Sequence, residues 1–436
     1  MKSPRPLLIL VPAVCASLAF AQTDSVDVIQ AGAPKVFIDC TSCDLDYLRT
    51  EVSFVNYVRD PKEADVHVLV TSQRSGSGGK EYTLTLYGQH AYDGMNDTLV
   101  FNTKESDTDD IIRSATARVL KTGLLRYAMR TPVSEFLSVK YDRAAAPKQI
   151  HDQWDYWVFR ISMNSFGNGE KQRLYQNIYG NISANRITEE WKVNLSASNS
   201  YTEDRYDIPS VTTVKNFRRS QSFSGLLVRA IDDHWSAGLS GRAGASTYNN
   251  TELTYGLSPA LEYDLFPYSQ STRAQLRFLY KIGYFHAKYI EETIFDRRSE
   301  GYASQSLEVA LELKQTWGSI TATFSGTHYP GNFRNAGVSL RNEISWSLYG
   351  LISWRIVEGL SFTVAGDYSE IHDQFGLVKR DLSQEDILLQ RSQLKTNYSY
   401  FYSVGFSYTF GSIFNNIVNP RMGSGGGGGF SISISD

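Results

Sequence analysis

Cysteine is scarce in this chain: three residues in 436, of which Cys15 sits in an apolar leader, so only Cys40 and Cys43 remain and a disulfide scaffold is excluded. Long hydrophobic runs are missing too. Beyond the leader no stretch approaches the 18 consecutive apolar residues that a spanning helix needs, which leaves no candidate for a helical membrane protein. Positive charge is not in excess either. The 43 basic residues face 46 acidic ones, and without Lys2 and Arg5 of the leader 41 remain, a net charge near −5. With no basic run anywhere, nucleic acid is not an expected partner. No motif calls for a cofactor or a metal.

Aromatic residues, by contrast, are abundant, with 27 Tyr and 22 Phe in a chain of slightly hydrophilic average. Their placement is ordered. In 397–410 the even positions Tyr398, Tyr400, Tyr402, Val404, Phe406, Tyr408 and Phe410 are all large and apolar or aromatic, while the odd ones are mostly Ser, Gly and Thr. A period of two is a β-strand, and one fatty face with aromatics at its ends fits a strand crossing a membrane.

The chain opens with Lys2 and Arg5, an apolar stretch from Leu7 to Phe20, and Ala19-Phe20-Ala21 before Gln22. This reads as an export signal over residues 1–21, with 22–34 as a flexible lead-in. From 35 to 132 the pattern is mixed. A strand at Lys35 to Asp39 precedes a helix from Asp44 to Arg59 with Leu45, Leu48, Val52 and Val55 on one face; strands follow at 65–71, 81–87 and 97–101, then a helix from Asp109 to Arg130. The order β-α-β-β-β-α predicts a small α/β domain. In that order it resembles the N-terminal domain of the periplasmic TolB family, a likeness that implies a periplasmic location and a protein partner there.

Residues 133–152 read as a linker. After it twelve strands are expected within 153–411, at about 154–165, 173–184, 190–202, 215–230, 235–247, 252–264, 273–290, 302–314, 318–328, 335–356, 359–370 and 394–410. Connections after even strands are short and several after odd strands are long. In this pattern the region resembles the bacterial outer-membrane β-barrel superfamily, whose short turns face the periplasm and long loops the exterior. The resemblance implies a mainly β fold: a twelve-stranded antiparallel transmembrane barrel in the outer membrane, both termini periplasmic, inserted by the barrel-insertion machinery and surrounded by lipid. The tail 412–436 carries Gly425 to Gly429 and then Phe430-Ser-Ile-Ser-Ile-Ser-Asp436, which alternates with period two. It is expected to be a tether with a loose end.

Charge decides which face of each strand looks inward, since a base at the bilayer midplane costs roughly 2–4 kcal/mol on the lipid side. Arg277, Lys281, Glu308, Glu312, Arg341 and Glu343 are therefore expected in the lumen as one charge network, with Leu276, Phe278, Leu307, Val309, Trp346 and Leu348 outward. Arg242, Arg355 and Asp367 are expected near them. The loop 291–301 predicts that residues on its two strands with numbers summing to about 594 are neighbours, so Lys281 should meet Glu308 or Glu312. The strand at 215–230 stays ambiguous, with Leu226 and Val228 on one face and Phe223 and Leu227 on the other.

Chemistry-bearing motifs are few. Cys40-Thr-Ser-Cys43 before a helix is either a structural disulfide or a thiol–disulfide site, and the first reading is preferred because the elements before it do not match a thioredoxin-like fold. Zinc would need His67 or His90 at an unfamiliar spacing. Twelve strands also resemble outer-membrane phospholipase, which carries His and Ser two apart; here Thr327-His-Tyr-Pro330 has Pro where the Ser belongs, so an enzyme is not expected. His286, His328 and His372 are expected at the rim or in loops. The expected function is a cell-envelope structural or interaction protein whose barrel anchors a periplasmic domain, with a narrow solute channel as the alternative.

Overall fold

Two β-sheets of opposite character are joined in sequence. The computed structural model describes residues 32–75, 78–140, 152–207, 213–330, 344–381, 383–384, 387, 389, 391–412, 414 and 416. The expected leader, most of the linker, Arg341 and Glu343, and the Gly-rich tail lie outside the described residues.

The first sheet has the order β2-β1-β3-β4-β5, with β1 Lys35–Asp39, β2 Asn56–Tyr57, β3 Val66–Arg74, β4 Lys80–Gly88 and β5 Asp97–Asn102. β1 runs parallel to both β2 and β3, whereas β3, β4 and β5 form an antiparallel meander. Helices α1 (Leu45–Glu51) and α2 (Asp109–Ala128) cover it. Asp44 caps α1 by accepting from Tyr47 N, and Thr108 caps α2 by accepting from Ile111 N. Val36, Leu48, Val52, Val66, Val68, Leu84, Leu86, Leu120, Leu124 and Tyr127 are almost wholly buried in one core.

The helix expected to run from Asp44 to Arg59 is corrected: it ends at Glu51, and Asn56–Tyr57 form a fifth strand. Val52 and Val55 are buried as the helical spacing demanded. However, Val55 and Tyr57 favour extended backbone, and the Tyr57 hydroxyl donates to Val52 O at 2.8 Å, satisfying a carbonyl at the helix end.

The second sheet is a twelve-stranded antiparallel meander in strict chain order. Its strands are β6 Trp157–Glu170, β7 Arg173–Ile187, β8 Trp191–Tyr206, β9 Val214–Ala230, β10 Trp235–Ser246, β11 Thr251–Asp264, β12 Ala274–Tyr289, β13 Ser299–Gln315, β14 Gly318–His328, β15 Ile344–Val357, β16 Leu360–Glu370 and β17 Tyr398–Tyr408. Among the described residues β6 pairs only with β7 and β17 only with β16, so the sheet is open between its first and last strands. No helix of the described residues is long and apolar enough to cross a membrane.

Register makes the sheet two-faced from end to end. Directly opposed residues share a face, so the pairs Arg242↔Gly256, Gly256↔Phe285 and Phe285↔Tyr302 put one set together, and Leu239↔Leu227, Leu261↔Tyr280 and Tyr280↔Leu307 the other. The second face is apolar and exposed, with Ile161 at 81 %, Leu257 at 59 %, Tyr402 at 76 % and Phe406 at 79 %. On β9 the ambiguity resolves: Phe223 and Leu227 lie on this apolar face, and Leu226 and Val228 on the polar one.

Candidate functional site: a polar cavity covered at both ends

The polar face is concave. Residues as far apart as Ile187 on β7 and Lys281 on β12 line one cavity of about 680 Å³, and a second of about 540 Å³ follows it along the strands, with Leu226, Ser240 and Lys281 common to both. The smaller cavity is walled largely by hydroxyl groups and small residues, whereas the larger also carries charged and apolar side chains such as Glu190, Lys192, Glu262 and Leu279. Lateral hydrogen bonds such as Asn181 Nδ2 to Ser196 Oγ at 2.9 Å knit neighbouring strands across this face.

Arg277, Lys281, Glu308 and Glu312 all lie on the polar face, and Arg277 pairs with Glu308, with Glu262 at 3.9 Å on its other side. The expected meeting of Lys281 with Glu308 or Glu312 is corrected. β12 and β13 pair with residue numbers summing to 587, so Lys281 opposes Ser306, Leu279 opposes Glu308 and Gln275 opposes Glu312. The hairpin shifts because β13 begins at Ser299, earlier than the polar loop suggested. Glu312 pairs instead with Lys314 on its own strand.

The short-turn end is covered by the α/β domain. Arg355, on the polar face near the end of β15, donates to both carboxylate oxygens of Asp39 at 2.6 and 2.8 Å, and its guanidinium lies 5.5 Å from the Phe37 ring. Arg273 donates to the Tyr87 hydroxyl at 3.0 Å, Arg160 pairs with Glu105, and Asp60 accepts from Gly359 N. Gln73 itself lines the larger cavity. After β17 the chain returns to the same domain, where Phe414 bridges to Val58 and the Asn416 amide donates to the Asn56 side chain at 2.9 Å.

Asp39 is the keystone of this contact. Burial pushes its carboxyl up, but hydrogen bonds from the fully buried His67 and from Arg355 outweigh that and hold it at about 2. Cys40 and Cys43 form a disulfide immediately after it, closing the turn that leads from Asp39 into α1. Neither Cys approaches a metal-type cluster; among the described residues no group of His, Cys, Asp and Glu is arranged to hold a metal ion. His67 points at Asp39, and His90 lies 3.7 Å from Asp65.

The other end is covered by the β16–β17 connection, of which residues 371–381, 383–384, 387, 389 and 391–397 are described. Ile294 N donates to Leu377 O at 2.9 Å, Lys379 N donates to Glu292 O at 2.9 Å, and Arg380 pairs with Glu291, which ties this segment to the β12–β13 loop. Lys379 is held up by Asp296 and Glu292, and Asp296 is held down by Lys379. Further on it reaches across the opening: Gln393 N donates to Tyr248 O, and Asn216 on β9 donates to Leu389 O. A Cβ on Gly376 would lie 2.3 Å from Asn249 O, so only glycine allows this approach. Beneath the segment Phe285, Tyr289, Tyr302, Tyr329 and Phe375 pack into an aromatic cluster, with Tyr329 and Phe375 edge to face at 4.9 Å.

His328 bonds to Gln305, His286 to Ser299, and His372 Nδ1 donates to Ile344 O at 2.9 Å, all at this same end. Sequence reasoning did not single out Asp39, Phe375 or Tyr329. For Asp39 the missing signal is its partner, Arg355, 316 positions away.

No protein-family model matches this chain, and no curated protein matches it. Among solved structures it has a likeness to the NanC porin in a rhombohedral crystal form, at 7 % identity and a TM-score of 0.28, over 57 % of this chain and 99 % of that one.

Proposed function

We propose that the twelve strands form an outer-membrane β-barrel that anchors the α/β domain on its periplasmic side, with β6 pairing antiparallel to β17. The exposed apolar face supports this reading, because a soluble protein rarely leaves so wide a patch uncovered. Two edge strands with unpaired backbone are untenable in hydrocarbon, and an even number of strands brings β6 and β17 together in opposite directions. Tryptophan adds to it: Trp154, Trp157, Trp191, Trp235, Trp317 and Trp354 gather at the short-turn end, while Trp346, Tyr368 and Tyr398 stack at the other. Trp346 and Trp354 are eight residues apart on β15, about 26 Å along a strand and about 20 Å along the membrane normal at the usual tilt.

The observation that carries the anchoring role is the pair of covers: the α/β domain at one end and the 371–397 segment with its aromatic cluster at the other. A barrel closed in this way holds its domain at the membrane and passes little. The two connected cavities favour the alternative, a narrow channel. Planar-bilayer recording separates them. Little conductance from the full chain is expected; steady channels whose ion selectivity changes in Glu308→Gln would transfer the assignment to a channel. The α/β domain then supplies the surface for a periplasmic protein partner, and no catalytic step is part of this proposal.

A further inference from the structure

On the polar face most long cations meet a carboxylate. Arg160 has Glu105, Arg277 has Glu308 and Glu262, and Arg355 has Asp39. Arg242 on β10 and Lys281 on β12 differ. Among the described residues neither makes an ion pair, and both line the 540 Å³ cavity, whose described walls carry no acid at all. Around them stand Ser240, whose hydroxyl donates to Ser258 O at 3.2 Å, and Ser258, Ser306 and Thr327, whose hydroxyls can each donate one hydrogen bond. Arg242 lies over the Phe285 ring at 4.1 Å, with Tyr302 close enough to interact with it. Stacking occupies the face of the guanidinium and leaves its remaining N–H donors in the plane, the fork that matches an oxyanion.

We propose that this cavity is a binding site for a small oxyanion, phosphate or a compact carboxylate, held between Arg242 and Lys281 and hydrogen-bonded by the surrounding hydroxyls. Register fixes the spacing. Arg242 opposes Gly256, which opposes Phe285, and Lys281 lies four residues from Phe285 along β12, about 13 Å of strand. With the two inter-strand steps of about 4.8 Å between β10 and β12 the two backbone positions stand roughly 16 Å apart, a gap that an arginine and a lysine side chain can span around a ligand of a few heavy atoms. The aromatic cluster covers the site on one side, so the ligand enters from the larger cavity, which reaches Lys281 from the α/β-domain end. The site goes beyond the anchoring role and serves equally an anchor that senses a solute and a channel that selects one.

The test is calorimetric titration of the full chain in detergent micelles at low ionic strength, with inorganic phosphate and separately with acetate. Saturable binding of at least one is expected, with affinity falling tenfold or more in R242Q/K281M and unchanged in K314M, whose lysine is already paired with Glu312. Binding of phosphate alone assigns a phosphate site, and of acetate alone a carboxylate site. Heat-modifiable migration verifies that each variant is folded; if the double variant is not, K281M alone carries the comparison. Absence of saturable binding to folded wild-type protein, or equal affinity in the folded variant, overturns the proposal. Conductance does not enter this readout, so failure here leaves the anchoring role standing.

Discussion

The α/β domain and the twelve-stranded sheet use the same alternation of apolar and polar residues and turn it in opposite directions. In β3 and β4 Val66, Val68, Leu84 and Leu86 are fully buried against α2. In β13 and β15 Leu307 and Leu348 are equally apolar, yet they are exposed at 41 % and 49 %, while Glu308 and Ser347 face the concavity. A helix supplies the cover in the first case. In the second none of the described residues does, and on the proposed reading lipid is the solvent for that face.

The largest effect expected from breaking this contrast is Leu84→Ala. A fully buried leucine should cost the α/β domain about 2–5 kcal/mol in chemical denaturation. Val309→Arg, on the exposed apolar face, should cost roughly 2–4 kcal/mol when the protein is folded into bilayers. A neutral result for Val309→Arg in lipid would mean that this face does not meet hydrocarbon.

Removing the link between the two regions comes next. Arg355→Ala should weaken docking of the α/β domain by about 1.5–3 kcal/mol, read as increased protease access to β1 and α1. Because the Asp39 carboxyl is depressed in the folded protein, its contribution is fully present above its ordinary pKa of 3.8 and fades as the pH falls toward about 2. Docking should therefore persist unchanged at pH 5 and loosen only below about pH 4. Loosening between pH 7 and 5 would point to another group. The smallest effect belongs to Lys314→Met, whose partly exposed pair with Glu312 should contribute below about 1 kcal/mol.

Much of this was readable from the chain. Period-two alternation marked every strand of the large sheet, since a strand with one apolar face repeats a simple pattern over 11 to 17 residues. Two-residue β2 left no such trace, and Val52 and Val55 before it mimicked a helix face. The β12–β13 register depended on where a polar loop ends, which alternation does not mark. The Arg355–Asp39 contact and the fold-back of Phe375 join segments far apart in sequence, and only the tertiary fold brings them together. The polar face was legible residue by residue through Arg277, Lys281, Glu308 and Glu312; the covers at its two ends were not.

The central claim is that the sheet closes in a membrane, and amide hydrogen exchange of the protein reconstituted in lipid nanodiscs tests it most directly. Closure predicts that the backbone amides of β6 and β17 are protected as strongly as those of the interior strands β10 and β11, which pair on both sides. Exchange of alternate amides along β6 and β17 at the rate of a free strand edge, with β10 and β11 protected, would contradict it.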